Sequence, residues 1–232
     1  MAGLLPGLRK SAAQGALLDV APSRQTSRLL RALAEDLGVV YVGMDFDPGA
    51  DNRIVTLQAS LTDLPLPDAS VGLLVCFHVL EHIPDDAAAM AEMGRVLAPG
   101  GVAVVQVPRR RGVPTDEDPD APVEVRVDRF GQSDHVRFYG DDFEDRLRAA
   151  GLRVHAITIK DLYRPIESDL LGVDPDEPLW LCTTDFDVEV EALAEDCAAS
   201  ARAAAVSAQA LSVRVLSVRT RAETAGSART GR

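Results

Sequence analysis

The fold is decided by the stretch DLPLPDASVGLLVCFHVLEH at residues 63–82, followed by RVLAPGG at residues 95–101. Within the first segment, residues 71–76 form an apolar run that predicts a buried strand. Apolar residues at helical spacing predict a helix over residues 85–97, which the two glycines of the second segment end. Residues 102–107 then predict another buried strand. Apolar strands joined through a helix are typical of a parallel sheet covered on both faces.

The same alternation continues on both sides of this stretch. Residues 16–20 predict a short buried strand, and residues 24–37 a helix that Ser23 caps and Gly38 stops. Further strands are predicted at residues 39–45, 54–57, 152–159 and 179–182, with a helix at residues 141–150. The sequence therefore predicts an α/β fold with a doubly wound, mostly parallel, seven-stranded sheet. Ligands of such sheets bind beyond the carboxyl ends of the strands.

Two regions depart from this rhythm. Residues 109–140 are rich in Pro, Asp and Arg and show no clear periodic element, which predicts a functional or unstructured insertion loop. Beyond residue 185 the composition shifts to Ala, Ser, Val and Glu, and residues 187–215 predict an Ala-rich helix. We therefore expect a segment 1–14, a domain 15–185 and a helical or disordered tail 186–232.

The composition limits the kind of partner. A net charge of −12 argues against a nucleic-acid binder, which usually carries a basic footprint. No apolar run approaches the roughly 20 residues that span a bilayer. Pro6, Arg9 and Lys10 interrupt the N-terminal apolar run, so we expect no signal peptide and a cytoplasmic location.

Four segments in this order carry a family resemblance. They are LLDVAPS at residues 17–23, VGMDFD at residues 42–47 and the two segments quoted above. Together they resemble class I S-adenosylmethionine-dependent methyltransferases, over about residues 15–108 and more weakly to residue 185. The resemblance implies the Rossmann-like fold of that family and S-adenosyl-L-methionine as the cofactor.

The resemblance also implies which residues contact the cofactor. Asp45 closes the second strand, where the family's acidic residue binds the ribose hydroxyls, just over 20 residues after the first turn, and Asp47 is the near alternative. Ser60 and Leu61 occupy the adenine position, Ser60 in place of the usual carboxylate. Phe77 and His78 follow the fourth predicted strand and are expected near the methionine part.

The first turn differs from the family pattern D-x-G-x-G. Asp19, Ala21 and Pro22 occupy the cofactor-binding positions of this turn, without the glycines that allow close backbone approach. Pro22 also offers no N–H donor. A sub-branch with an "APE" turn resembles this sequence, with Ser23 in place of the acid, and residues 130–140, FGQSDHVRFYG, match its downstream segment.

His135 is the candidate catalytic residue. A histidine can accept a proton near neutral pH, and this one lies in the loop expected to cover the substrate. Asp134 and Arg137 would orient it or the substrate. The alternative is a structural hydrogen-bonding cluster around His135. His82 is expected to cap or pack.

Residues 78–82 also match H-x-x-E-H, the pattern of zinc peptidases. The segment directly follows a strand, however, and Pro84 limits any helix. No CxxC spacing occurs among the three cysteines. We therefore expect no metal site.

The predicted function is methyl transfer to oxygen or nitrogen of a small-molecule or sugar-like acceptor, with a homodimer left open as the assembly. The missing glycines, Ser23 and Ser60 keep a second hypothesis open, a non-catalytic or repurposed partner subunit of the same fold. A nicotinamide dehydrogenase is disfavoured because G-x-G-x-x-G is absent from the first turn.

Overall fold

A seven-stranded sheet forms the centre of the molecule. The computed structural model describes residues 4–47, 55–162 and 174–203. The sheet strands are β1 (Ala16–Val20), β2 (Tyr41–Asp45), β3 (Leu57–Gln58), β4 (Val71–Phe77), β5 (Leu97–Gln106), β8 (Arg153–Thr158) and β9 (Pro178–Thr183). Their order is β3-β2-β1-β4-β5-β9-β8, and β9 runs antiparallel to both of its neighbours. The predicted doubly wound, mostly parallel sheet is confirmed.

Helices cover both faces of the sheet. They are α1 (Leu5–Ala12), α2 (Arg24–Leu37), α3 (Asp86–Val96), α4 (Val123–Phe130), α5 (Phe143–Ala149), α6 (Ile159–Leu162) and a helix over residues 190–203. α1, α2 and the helix over residues 190–203 bury side chains against one face, whereas α3 and α5 pack on the other. None of the helices in the described part of the chain is long and apolar enough to cross a bilayer.

The two faces of each central strand are both buried, which explains the apolar runs in the sequence. In β1, Leu17 faces the α2 side and Leu18 the α3 side. β4 repeats this alternation with Leu73 and Leu74. Because successive side chains of a strand point to opposite faces, a doubly covered strand must be apolar throughout.

The two segments that decide the fold are held together by one side chain. Arg95, in the last turn of α3, donates to the backbone carbonyls of Leu64 and Leu66, at 2.9 Å each, and to the Asp68 carboxylate at 2.6 Å. Glu92 completes the cluster by accepting from the backbone N–H of Leu64 at 2.8 Å. The loop that leads into β4 is thereby fixed against the helix that follows β4.

Some boundaries differ from the predictions. β1 and α2 begin and end where predicted, but β5 begins at Leu97 and runs through both glycines. A Cβ on Gly101 would lie 2.7 Å from the Val71 carbonyl oxygen, so glycine allows β5 to approach β4 there. β3 begins at Leu57, at the end of the predicted strand, whose first residue Ile54 lies outside the described residues.

The region predicted to be an insertion loop has regular structure. It contains α4 and a two-stranded antiparallel ribbon, β6 (Asp116–Glu117) and β7 (Arg137–Phe138). The predicted tail begins with the helix over residues 190–203, which buries Val190, Ala194 and Cys197 in the core beside α1. Residues 204–232 of that tail, and residues 1–3, lie outside the described residues.

Candidate active site

The turn after β1 is built without glycine. Ala21 adopts a left-handed backbone conformation, with φ of 48°. Its N–H donates to the carbonyl of Met44 at 2.7 Å, which ties the turn to β2. Ser23 then caps α2 by accepting from the N–H of Thr26 at 3.0 Å, and Thr26 returns the contact. The left-handed conformation costs an alanine about 1–2 kcal/mol, so this turn is strained where glycine would be relaxed.

Pro22 lies in the middle of this turn and is buried. Its neighbours Ala21 and Ser23 line the crevice described below. The expected cofactor contact from Pro22 has no support in its position, whereas the contact from Ala21 is compatible with its position.

Asp19 is a buried acid beneath the same turn. It is 1% exposed, and the hydroxyl of Tyr41 donates to its Oδ2 at 3.0 Å. Burial removes water from the carboxylate and raises the pKa of Asp19 to about 6, although the hydrogen bond from Tyr41 opposes the change. At neutral pH a negative charge therefore lies at the carboxyl end of β1.

Asp45 occupies the carboxyl end of β2. It is 9% exposed, and the backbone N–H of Asp47 donates to its Oδ1 at 3.2 Å. Another part of the wall comes from the turn after β3, where Leu61 is buried. In the same turn, Ser60 Oγ accepts from the N–H of Thr62 and lies 2.7 Å from its hydroxyl. A carboxylate and an apolar side chain thus face one space, as the expected ribose and adenine contacts require.

The carboxyl end of β4 supplies the third wall. Phe77 and His78 follow the strand, and His78 has a left-handed backbone with φ of 55°. Its N–H donates to the carbonyl of Gln106 at 2.9 Å, which fixes the strained turn. The buried Glu81 carboxylate lies 3.6 Å from Nδ1 and raises the pKa of His78 above its ordinary value.

These three strand ends surround a crevice at the switch point of the sheet. One part, of about 790 Å³, lies between β2, the turn after β3 and the loop after β4. A second part, of about 780 Å³, lies between the β1 end, α2 and α6. Both parts share Val20, Ala21, Phe77 and His78. Of the eight predicted cofactor contacts, seven line this crevice: Asp19, Ala21, Asp45, Ser60, Leu61, Phe77 and His78.

The crevice walls are acidic, which bears on the ligand. Their carboxylates come from Asp19, Asp45, Asp47, Asp85 and Asp134. Such a surface favours a cationic ligand by electrostatic attraction. A sulfonium nucleoside is cationic and offers a ribose to a carboxylate, so the residues present fit S-adenosylmethionine.

His135 does not lie over the crevice as the sequence suggested. It is 4% exposed, and its Nδ1 donates to the carbonyl of Phe130 at 3.0 Å. Its ring packs edge-on against that of His82, with centroids 4.6 Å apart. His82 and Asp134 line the crevice instead, and Nδ1 of His82 lies 3.2 Å from Oδ2 of Asp134. The sequence predicts only a capping or packing role for His82.

Arg137 has a different task from the one expected. It is fully buried and donates to the carbonyls of Leu80, Ile83 and Pro84, at 2.9 Å to Leu80 and 2.8 Å to Pro84. Glu117 on the neighbouring strand of the ribbon accepts from it at 3.1 Å. Arg137 therefore fixes the loop after β4, and orients neither His135 nor a substrate by direct contact.

Known proteins with similar sequences and structures point in one direction. Residues 18–105 match the methyltransferase domain family. A protein of Mycolicibacterium smegmatis named "Probable S-adenosylmethionine-dependent methyltransferase" is 39% identical over 85 residues, 34% of this chain and 33% of that protein. The 27-O-demethylrifamycin SV methyltransferase of Amycolatopsis mediterranei is 28% identical over 167 residues, 66% of this chain and 57% of the relative. The chain thus spans between a third and somewhat over half of these two relatives.

The fold has a solved counterpart. The S-adenosylmethionine-dependent methyltransferase of Mesorhizobium loti has a TM-score of 0.50 and 15% identity, over 78% of this chain and 96% of that one. At this identity the likeness demonstrates a shared fold.

Proposed function

We propose that this chain, a member of the class I S-adenosylmethionine-dependent methyltransferase family, methylates an oxygen or nitrogen atom of a small-molecule or sugar-like acceptor. The observation that carries the proposal is Asp45. Its buried carboxylate closes β2 on the wall of a crevice of about 790 Å³ that Leu61 also lines. This volume falls within the roughly 300–1,000 Å³ of small-molecule sites.

The bound cofactor supplies an electrophilic methyl group on a positively charged sulfonium. The chain itself supplies binding, alignment and exclusion of water. Asp45 would accept hydrogen bonds from the ribose hydroxyls, and Leu61 would pack against the adenine. Asp19 and the other wall carboxylates attract the cationic part of the ligand.

His78 is the best placed group to accept a proton from the acceptor. It lines both parts of the crevice, and more than half of its side chain is exposed. The adjacent Glu81 carboxylate raises the pKa of His78, which makes the ring a stronger proton acceptor. We therefore move the general base from His135, which is buried away from the crevice, to His78.

The acceptor class rests on charge and size. The chain has a net charge of −12 and acidic crevice walls, which disfavour a polyanionic nucleic acid as acceptor. The second part of the crevice, of about 780 Å³, has the volume of a small-molecule site.

The strained turn supports a second candidate, a protein of this fold that binds the cofactor or a partner without catalysis. Ala21 in a left-handed conformation and the buried Pro22 leave fewer backbone contacts to a nucleoside than two glycines would. Binding without turnover distinguishes this candidate from the first.

Calorimetric titration with S-adenosylmethionine tests the site. We expect Asp45→Ala to weaken binding by about 10- to 100-fold, since a hydrogen bond to a charged group contributes roughly 1.5–3 kcal/mol. The matched control is Asp36→Ala, which removes an exposed carboxylate paired with Arg9 on the surface. Equal affinity of both variants and the wild type would refute the assignment of Asp45. Release of S-adenosylhomocysteine with a panel of hydroxyl and amine metabolites then separates methyl transfer from binding alone.

A further inference from the structure

Three side chains meet beside the crevice. The proposed mechanism does not require any of them to contact the cofactor. Glu81 and His82 lie on the short 3₁₀ turn Leu80–His82 after β4. His135 precedes β7 and comes from more than 50 residues further along the chain. One carboxylate oxygen of Glu81 and one ring nitrogen of each histidine lie within 4.8 Å of one another. Among the residues that the structure describes, this is the single group of three with such geometry.

Glu81 supplies an independent sign of a missing partner. Its side chain is 1% exposed, and Oε2 has no hydrogen-bond partner. The other oxygen, Oε1, lies 3.6 Å from Nδ1 of His78. A buried charged oxygen without a partner costs more than the roughly 1–3 kcal/mol of a neutral group, so it calls for a compensating ligand.

Both histidines are oriented as metal ligands commonly are. Nδ1 of His135 donates to the carbonyl of Phe130 at 3.0 Å. Nδ1 of His82 lies 3.2 Å from the carboxylate of Asp134. With Nδ1 engaged by an oxygen acceptor, the lone pair of each ring lies on Nε2. In metal-binding histidines, an oxygen acceptor on the ring nitrogen that does not bind the metal fixes the tautomer and the orientation of the ring.

We propose that Glu81, His82 and His135 bind a first-row divalent metal ion, of which Zn²⁺ is the best match. Two imidazoles and one carboxylate suit Zn²⁺, whereas Mg²⁺ prefers oxygen ligands and water. Bonds of about 2.1 Å in a tetrahedral site hold the donors roughly 3.4 Å apart, so the three side chains need to close by about an ångström. Three protein ligands leave one position open for water or a substrate oxygen.

This site differs from the zinc-peptidase reading of residues 78–82. There, two histidines four residues apart on one helix share the metal, but here His78 lies at the strained end of β4 and outside the group. His135 takes the place of His78. The expectation of no metal depended on the local pattern, which contains no information about residue 135.

The position of the site connects it to the crevice. The side chain of His82 is 32% exposed, and both His82 and Asp134 line the part of the crevice of about 790 Å³. A metal ion there reaches the crevice wall and polarises an acceptor hydroxyl, which lowers its pKa. This last role rests on the proposed methyl transfer, whereas binding of the metal does not.

Titration of the chelator-stripped full-length protein with ZnCl₂ tests the proposal. We expect one Zn²⁺ per chain in the wild type, and binding at least about 100-fold weaker in His82→Ala and Glu81→Gln, because each loses a direct ligand. The matched control is His155→Ala, a partly exposed histidine on β8 near Glu191 that should keep wild-type affinity. His82 is the primary position because it is partly exposed, and circular dichroism checks that each variant is folded.

Three results would overturn the proposal: no stoichiometric Zn²⁺ binding by the wild type, equal loss in His155→Ala, or binding of MgCl₂ as tight as that of ZnCl₂. A chain that binds Zn²⁺ but not S-adenosylmethionine would retain the metal site and lose the proposed function. A chain with the reverse behaviour would retain the function and lose the metal site.

Discussion

Replacing Asp19 by Asn should stabilise the protein at pH 8 relative to its effect at pH 4, because the buried carboxylate is charged only at the higher pH. The carboxyl group is buried, and its pKa is raised from 3.8 to about 6 because burial disfavours the charged form. Between these two values the folded protein holds a proton that the unfolded chain has lost. The stability contribution of Asp19 is therefore fully present below pH 3.8 and is lost as the pH rises to about 6.

The magnitude follows from the same two values. At about 1.4 kcal/mol for each pKa unit, ionisation of buried Asp19 costs about 3 kcal/mol at pH 8. Asn removes the charge while its amide oxygen can still accept from the hydroxyl of Tyr41. The new amide N–H₂ needs an acceptor of its own, so we expect a net gain of roughly 1–3 kcal/mol at pH 8.

Urea denaturation of the wild type and Asp19→Asn at pH 4 and pH 8 measures this difference. Asp145→Asn is the control, since Asp145 is exposed and pairs with Arg148 on the surface. A gain of the same size at both pH values, or a loss at pH 8, would refute the electrostatic reasoning. Asp19→Asn should also reduce the thermal shift produced by S-adenosylmethionine, because Asp19 lines the crevice. A variant that is more stable and binds less well marks a site in which stability is sacrificed for function.

Two further substitutions test the strained turn and the loop after β4. Ala21→Gly should raise the free energy of unfolding by up to about 1 kcal/mol, since glycine relaxes the left-handed backbone. The control Ala88→Gly in α3 should lower the free energy of unfolding by about 1 kcal/mol, and thermal melts compare the two variants. Arg137→Met should lower the free energy of unfolding by about 3–5 kcal/mol, because the carbonyls of residues 80–84 lose their buried donor. The exposed Arg148→Met should change it by less than about 1 kcal/mol, and equal urea midpoints for the two variants would contradict the role of Arg137.

The sequence was sufficient for those parts of the fold that repeat a local pattern. The boundaries of α2 could be predicted because Ser23 and Gly38 lie directly at the helix ends that they cap. The apolar runs of β4 and β5 were predicted because both faces of these strands are covered. The early start of β5 was missed because Gly101 signals a break in sequence, although in the sheet it permits close approach to Val71.

The region 109–140 could not be predicted for a physical reason. α4 buries only Phe130, so its valines at positions 123, 125 and 127 are exposed and produce no helical periodicity. β6 and β7 have two residues each, too few for alternation to be seen. What orders this region is a set of long-range polar contacts, such as Arg137 to the loop after β4, which leave no periodic trace in the sequence.

The same distinction separates the two halves of the candidate site. Asp19, Asp45, Phe77 and His78 lie at or directly after strand ends, and parallel strands bring their carboxyl ends to one edge, so their proximity follows from the topology alone. The position of His135 depends on long-range contacts within the region 109–140. The sequence therefore predicts this residue over the substrate, whereas in the structure it is buried against His82. The proximity of residues that the sheet positions can therefore be predicted from sequence in this fold. A group such as Glu81, His82 and His135 is assembled across the loops, and it becomes visible only through burial and unpaired atoms in the folded chain.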